Sequence, residues 1–131
     1  TSGSKGLQVY VPLNRPHTHD RTSGFAHAVA QVLEKHRPDD VVSVMTKQLR
    51  GGKVFIDWSQ NSRHKTTVAA YSLRARPAPT ASTPVTWDEV SDAADGAPLS
   101  FTAAEVLDRV GRSGDLFAPA AELEQELPDP S

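Results

Sequence analysis

Cysteine is absent from the 131 residues, so neither a disulfide framework nor a thiolate metal site can be built, and a reducing, intracellular setting is the natural reading. No apolar run approaches the roughly 18 residues that a membrane span needs, and the N-terminus has no apolar core of a secretory leader. The expectation is a soluble cytoplasmic protein with no membrane partner. An even spread of charge is missing too. Residues 1–43 hold five Lys/Arg against four Asp/Glu, residues 44–76 seven against one, and residues 77–131 two against eleven. Six net positive charges in the middle of the chain point to a phosphate-bearing partner, a solvated basic face being the other reading. The acidic last third reads as surface and tail.

The length suits one modest domain with one core. Residues 7–13, LQVYVPL, alternate Leu7, Val9, Val11 and Leu13 against Gln8 and Tyr10, which predicts a half-buried strand. Residues 22–36 set Phe25, Val29, Val32 and Leu33 at helical spacing before Pro38 and predict a helix packed on the sheet. Further strands are expected over residues 41–46, 53–59 and 66–73, the last two joined as a hairpin by the polar loop of residues 61–65. Pro77, Pro79 and Pro84 read as an extended linker. Thr86 with Glu89 and Thr102 with Glu105 are two capping boxes, each flanked by a staple, Val85 with Val90 and Phe101 with Val106. After Pro119 the chain turns acidic, and a short helix followed by disorder is expected. The boundaries are thus residues 1–118 for the domain and 119–131 for an acidic tail.

Chemistry enters with VFIDWSQN at residues 54–61, where one carboxylate interrupts a strand-like apolar run. A buried, unpaired carboxylate costs on the order of several kcal/mol, so Asp57 is exposed, paired with a cation or bound to a metal. Period two puts Val54, Ile56 and Trp58 on one face and Lys53, Phe55, Asp57 and Ser59 on the other. A hairpin centred on Arg63 would return Arg74 and Arg76 to the Arg50 and Lys53 end, with Lys47 near, around an anionic group. One acid beside several phosphate-binding cations is the layout of a metal-dependent nucleotide site. A plain salt bridge from Asp57 to an arginine is the bland alternative. The opening TSGSKG could turn backbone N–H groups and hydroxyls toward an anion with Lys5 adding charge, or be a flexible turn; it lacks the order of a Walker loop.

Three stretches, TSGSKGLQVYVPL, MTKQLRGGKVFIDWSQNSRHKTTVAAYSLRARPAPTASTPVTWDEV and RVGRSGDLF, together resemble the second half of the polymerase domain of bacterial DNA ligase D, in the archaeo-eukaryotic primase superfamily. The resemblance implies an α+β fold, a mostly antiparallel sheet with flanking helices like an RNA-recognition motif, here as a half-domain. It implies a primase-polymerase of non-homologous end joining that adds nucleotides, preferably ribonucleotides, at DNA ends with two Mn or Mg ions. Carried over by position, Asp57 matches the third metal-binding carboxylate, Ser2 and Lys5 the nucleotide-contacting loop, Lys47, Arg50 and Gln60 positions near the nucleotide, and Arg74 and Arg76 the triphosphate arginines. Lys53 joins the nucleotide-binding set through the hairpin geometry.

Two departures matter. Gln8 stands where the family usually has a nucleotide-holding His; Gln keeps a hydrogen bond but no positive charge. The family's paired Asp-x-Asp has no counterpart, since Asp39-Asp40, Asp92 with Asp95, and Glu122 with Glu124 lack a strand context. Asp57 alone should not place two ions, so the chain is expected to be inactive by itself and to need a complementary N-terminal half. The implied partners are a nucleoside triphosphate, DNA ends, that half, the end-binding protein Ku and a ligase domain, in a bacterial, nucleoid-associated setting. A nucleotide- or DNA-binding module that has lost catalysis is the alternative. His17, His19 and Asp20 read as solvated rather than metal-binding, Trp58 and Trp87 as core rather than base-stacking residues, and His27, His36 and His64 as surface.

Overall fold

The computed structural model describes residues 1–128; of the disorder expected after the short helix, residues 129–131 lie outside the described residues, whereas residues 123–128 are held, Gln125 N donating to Leu13 O at 2.9 Å and Leu127 being buried. The chain divides into two compact units, one of Thr1–Asn14 and Val68–Gln125, the other of Arg15–Thr67 with residues 126–128. Each is described by itself.

In the second unit, helix α1 spans His19–His36. Thr18 caps it by accepting the Arg21 N–H at 3.2 Å, Asp20 sits in the first turn, and Lys35 and His36 sit in the last, all matched to the helix dipole. It ends at Arg37, one residue before Pro38, as the sequence predicts. The sheet differs from expectation. Strands β1 (Val41–Val42) and β2 (Val54–Phe55) pair in parallel, Val41 against Val54 and Val42 against Phe55. The expected antiparallel hairpin does not form. Directly after Asp57 the chain coils into a 3-10 turn, Trp58–Gln60, and residues 61–65 fold back on it through Ser62 N to Gln60 O (2.8 Å) and Lys65 N to Ser62 O (3.2 Å). Strand β2 therefore stops before a hairpin partner can align, and its donors go to β1, Val54 N to Asp40 O at 2.7 Å and Ile56 N to Val42 O at 3.0 Å. Helix α1 packs over β1 and the 58–60 turn. Ala30, Val42 and Ser43 are buried there, the Trp58 indole donates to Ser43 O at 3.0 Å, and His27 stacks on Trp58 with ring centroids 4.0 Å apart. His27 is therefore a packing residue and not the surface residue its position implied.

In the first unit, residues 7–13 do not form the expected strand; Leu7, Val9 and Val11 are each more than half exposed. Residues 66–73 form no strand either, apart from an isolated antiparallel bridge between Leu73 and Ala81. The proline-flanked segment read as a linker is instead the unit's core: Ala81, Ser82 and Thr83 are buried, with Arg74 N to Thr80 O at 2.8 Å, Ser82 N to Ser72 O at 2.9 Å and Ala81 N to Phe101 O at 2.8 Å. Proline spacing signals a break in regular structure, and here the backbone groups between the prolines pair across a tight return. Helices α2 (Trp87–Ala94) and α3 (Ala103–Ser113) start where the capping boxes predict. Arg109 of α3 reaches Glu89 of α2 with both guanidinium ends, one at 2.9 Å, donates to Pro84 O at 3.1 Å and lies over the Phe101 ring. The short helix expected after Pro119 is α4, Pro119–Glu122. Trp87, expected in the core, is three-quarters exposed, because the first helical position of α2 leaves it on the rim of an open groove.

Candidate functional site

The candidate residues divide between the two units. In the second unit, Asp57 is the N-cap of the 58–60 turn, and the turn brings the side chains of its second and third residues back onto the carboxylate. Ser59 Oγ donates to Oδ1 at 2.6 Å, Gln60 Nε2 donates to Oδ2 at 2.9 Å, and Lys65 Nζ donates to Ser59 Oγ at 2.7 Å. Partial burial works against ionisation of Asp57. The hydrogen bonds from Ser59 and Gln60 and the charge of Lys65 outweigh it, so the carboxyl is held below the usual range. An acid inside an apolar run is thus tolerated because it is exposed on one side and bonded at both oxygens on the other. Ser59 and Lys65 escaped the sequence reading, which had them as strand and loop residues; the D-x-S spacing ahead of a polar loop was the available signal.

The cations of this unit have structural occupations. Lys53 Nζ donates to Pro38 O at 2.6 Å, tying β2 to the end of α1. Arg50 donates to Met45 O and lies 3.8 Å over the Phe55 ring, closing the crossover between the strands, while its buried Nε has no partner among the described residues. Lys47 opens an exposed 3-10 turn, Lys47–Leu49. Gln60, expected near a nucleotide, is bound to Asp57.

In the first unit, residues 2–6 form a tight turn around one side chain: Ser2 Oγ accepts the N–H groups of Ser4 and Gly6, each at 3.2 Å, and Ser2 N donates to Gly6 O at 2.9 Å. Two N–H groups expected to face an anion are thus satisfied internally. Gly3 has φ +71°, and a Cβ there would stand 2.7 Å from Ser82 N, 2.8 Å from Ala81 C and 2.9 Å from Arg74 Cγ. Only glycine fits. The turn lies against the buried 80–83 segment, with Thr80 Oγ1 donating to Gly3 O at 2.6 Å and Ser82 Oγ to Thr1 O at 2.9 Å. Arg76 donates to Ser4 Oγ, and Arg74 passes beside Gly3. The structure therefore brings the Ser/Gly turn, Lys5 included, together with both arginines. Gln8 accepts from the Tyr10 hydroxyl at 3.3 Å on the wall of an apolar groove of about 370 Å³.

Among the described residues, no group of three or more His, Asp or Glu is placed to hold a metal ion, and residues 17, 19 and 20 are no exception. The donors among the described residues do not by themselves fit a two-ion Mn or Mg centre, which needs several carboxylates around both ions. No helix is long and apolar enough to cross a membrane.

Comparison with known proteins gives this geometry a lineage. The profile of the LigD primase-polymerase domain matches residues 1–117. The multifunctional non-homologous end joining protein LigD of Mycolicibacterium smegmatis is 54% identical over 119 residues, covering 91% of this chain and 15% of that protein. The bifunctional LigD of Bacillus subtilis is 30% identical over 88% of the chain and 19% of its own length. The polymerase domain of Mycobacterium tuberculosis ligase D, solved in complex with DNA, superposes with a TM-score of 0.79 at 46% identity, covering 87% of this chain and 39% of that one. The chain spans a small part of the curated relatives and about two-fifths of the solved domain, and it belongs to the LigD primase-polymerase family.

Proposed function

We propose that this chain is the nucleotide-holding half of a nucleotidyltransferase, a primase-polymerase that extends DNA ends in non-homologous end joining. The observation that carries the reading is that Arg76 donates to Ser4 Oγ and the Arg74 side chain passes beside Gly3, so both arginines lie against the residue 2–6 turn that also contains Lys5, a set of groups suited to a triphosphate. Asp57, bonded at both oxygens and kept ionised, is the one residue here that would hold a divalent ion, which would supply charge neutralisation at phosphates only with further carboxylates from outside this chain. The kinship to non-homologous end joining LigD proteins, and to a domain solved with DNA, supports DNA ends as the substrate.

A specific observation also favours a second reading, a nucleotide- or DNA-binding module without catalysis: no acidic cluster stands beside Asp57 among the described residues, and Gln8, bonded to the Tyr10 hydroxyl, occupies the position where the resemblance implies a His. One experiment separates them. The purified chain, with and without the part of the M. tuberculosis LigD polymerase domain that it lacks, is given a primed DNA end, ribonucleotides and Mn. The chain alone should add nothing and the complemented pair should extend the primer. Extension by the chain alone overturns the half-site reading, and a stable pair that binds triphosphate but never extends establishes the binding module.

A further inference from the structure

The stretch RVGRSGDLF at residues 109–117 carries part of the resemblance, yet none of its side chains belongs to the candidate site. What it does touch is Tyr71. Gly114, at φ +71°, ends α3 with its N–H on Val110 O at 2.9 Å, and the next residue, Asp115, accepts the Tyr71 hydroxyl and the Phe117 N–H (2.9 Å) on one and the same oxygen. Tyr71 is a backbone outlier. It has φ +70°, a left-handed conformation that a bulky aromatic residue rarely adopts. Ser72 N to Ala69 O, at 3.2 Å, closes a turn that sets Tyr71 at the third position, where glycine or asparagine is usual when φ is positive. An aromatic residue held there against a local conformational penalty needs a compensating contact, and its hydroxyl makes one. Burial, and then the Asp115 carboxylate, push the phenol above its ordinary value, so it keeps its proton and donates.

The turn at residues 69–72 leads straight into the arginines. Tyr71 N donates to Ser82 O at 2.7 Å, Ser82 N to Ser72 O at 2.9 Å and Arg74 N to Thr80 O at 2.8 Å, so the register of residues 71–74 on the buried 80–82 segment starts at Tyr71. Arg74 then passes beside Gly3, and Arg76 reaches Ser4. We propose that Tyr71 and Asp115 are positioning residues of the nucleotide site: the bond from phenol to carboxylate holds residue 71 in its left-handed conformation, and that turn fixes the direction in which residues 72–76 bring Arg74 and Arg76 to the residue 2–6 turn. This deepens the triphosphate reading above and rests on it. Tyr71 also lines, with Val106 and Val110 of α3, a gap of about 10 Å³. A tyrosine that only filled space there would need its ring, and neither its hydroxyl nor its unusual backbone.

The test takes the whole chain, with ATP as the probe, calorimetric titration for affinity and amide hydrogen exchange without nucleotide for the register. Tyr71→Phe keeps the ring and loses the hydroxyl, so it should weaken ATP binding about fivefold or more and speed exchange of the Arg74 and Ser82 amides by a similar factor, the loss expected for one hydrogen bond. Asp115→Ala should do the same, and Asp115→Asn, whose one oxygen can still accept from both donors, should recover most of that loss. A second pair separates conformation from packing. Tyr71→Asn and Tyr71→Ala both lose the ring, but asparagine tolerates a positive φ and alanine does not, so Tyr71→Asn should bind ATP about threefold or more tighter than Tyr71→Ala. Wild-type affinity and exchange in Tyr71→Phe, or equal affinities in Tyr71→Asn and Tyr71→Ala, overturn the proposal in favour of space filling. Exchange that responds as expected in a chain whose ATP binding ignores Arg74→Ala with Arg76→Ala refutes the triphosphate reading and upholds the positioning of the arginines. ATP binding that needs both arginines and is indifferent to every Tyr71 and Asp115 variant does the reverse.

Discussion

The guanidinium of Arg76 donates to the hydroxyl of Ser4, fastening the second arginine of the 74–76 pair to the glycine- and serine-rich turn at residues 2–6. Arg74 passes beside Gly3 of the same turn, so the turn and the arginines form one object, and whatever displaces one displaces the other.

Replacing both arginines by alanine should weaken binding of a nucleoside triphosphate by about two or more orders of magnitude, since charge-assisted bonds to phosphate are worth about 1.5–3 kcal/mol each. Arg74→Lys with Arg76→Lys should recover only part of it, because lysine keeps the charge and loses the planar fork. If the arginines instead grip a DNA backbone, the alanine pair should lower the salt dependence of duplex binding by about two units of slope and leave triphosphate affinity unchanged. Titrations of both ligands at several salt concentrations decide.

Gly3→Ala should destabilise the chain by about 1–3 kcal/mol in urea unfolding, because the new Cβ meets the backbone of Ala81 and Ser82 at a positive φ. Gly52→Ala provides the control. Gly52 has φ +70° with nothing within 4 Å of the added atom, so only the local conformational cost of about 1 kcal/mol applies. Equal losses at the two positions would mean that the turn is not pressed against the 81–83 segment.

The sequence made visible those features whose causes lie within a few residues. Both capping boxes were legible because Thr86 and Glu89, like Thr102 and Glu105, satisfy each other inside one turn. Helix α1 was legible from its spacing and Pro38. The partner of β2 was not: an alternating pattern tells which side chains share a face and says nothing of whether Val54 meets residue 41 or a later strand. The same limit hid the fate of residues 7–13, whose pattern asks for a partner that the described residues do not supply. At the candidate site, Asp57 stood out as an acid among apolar residues, whereas the Lys65 to Ser59 to Asp57 chain depends on a turn that cancels the period-two reading.

The Glu89 and Arg109 pair predicts a pH dependence. Arg109 bonding, outweighing partial burial, holds the Glu89 carboxyl at about 2 against an ordinary value of 4.5. The folded value lies below the unfolded one, so the stabilisation is fully present above pH 4.5 and is lost as pH falls toward 2. Both side chains retain some solvent contact, so a discounted contribution of about 1–2 kcal/mol is expected. Glu89→Gln, whose amide can still accept from the Thr86 N–H, should be less stable at neutral pH and show a shallower loss of unfolding free energy between pH 5 and 2. Parallel pH profiles for the two proteins would refute the assignment.

Asp57→Asn separates a charge from a shape. The amide is nearly isosteric and can still accept from Ser59 through its one oxygen, while Gln60 loses a partner at an exposed position, so the melting temperature should fall by only a few degrees. What the amide cannot provide is the negative charge that a divalent ion needs. In the complemented domain, Ser59→Ala, which frees one oxygen of Asp57 and detaches Lys65, should cost about 10- to 100-fold in nucleotide addition, as the loss of a ligand's supporting hydrogen bond generally does. Asp57→Asn should cost more than Ser59→Ala, and it should abolish a Mn signal that Ser59→Ala only weakens in paramagnetic resonance titration. A complemented Asp57→Asn domain that extends primers at the wild-type rate would leave Asp57 as a turn-forming acid whose hydrogen bonds to Ser59 and Gln60 are its whole function.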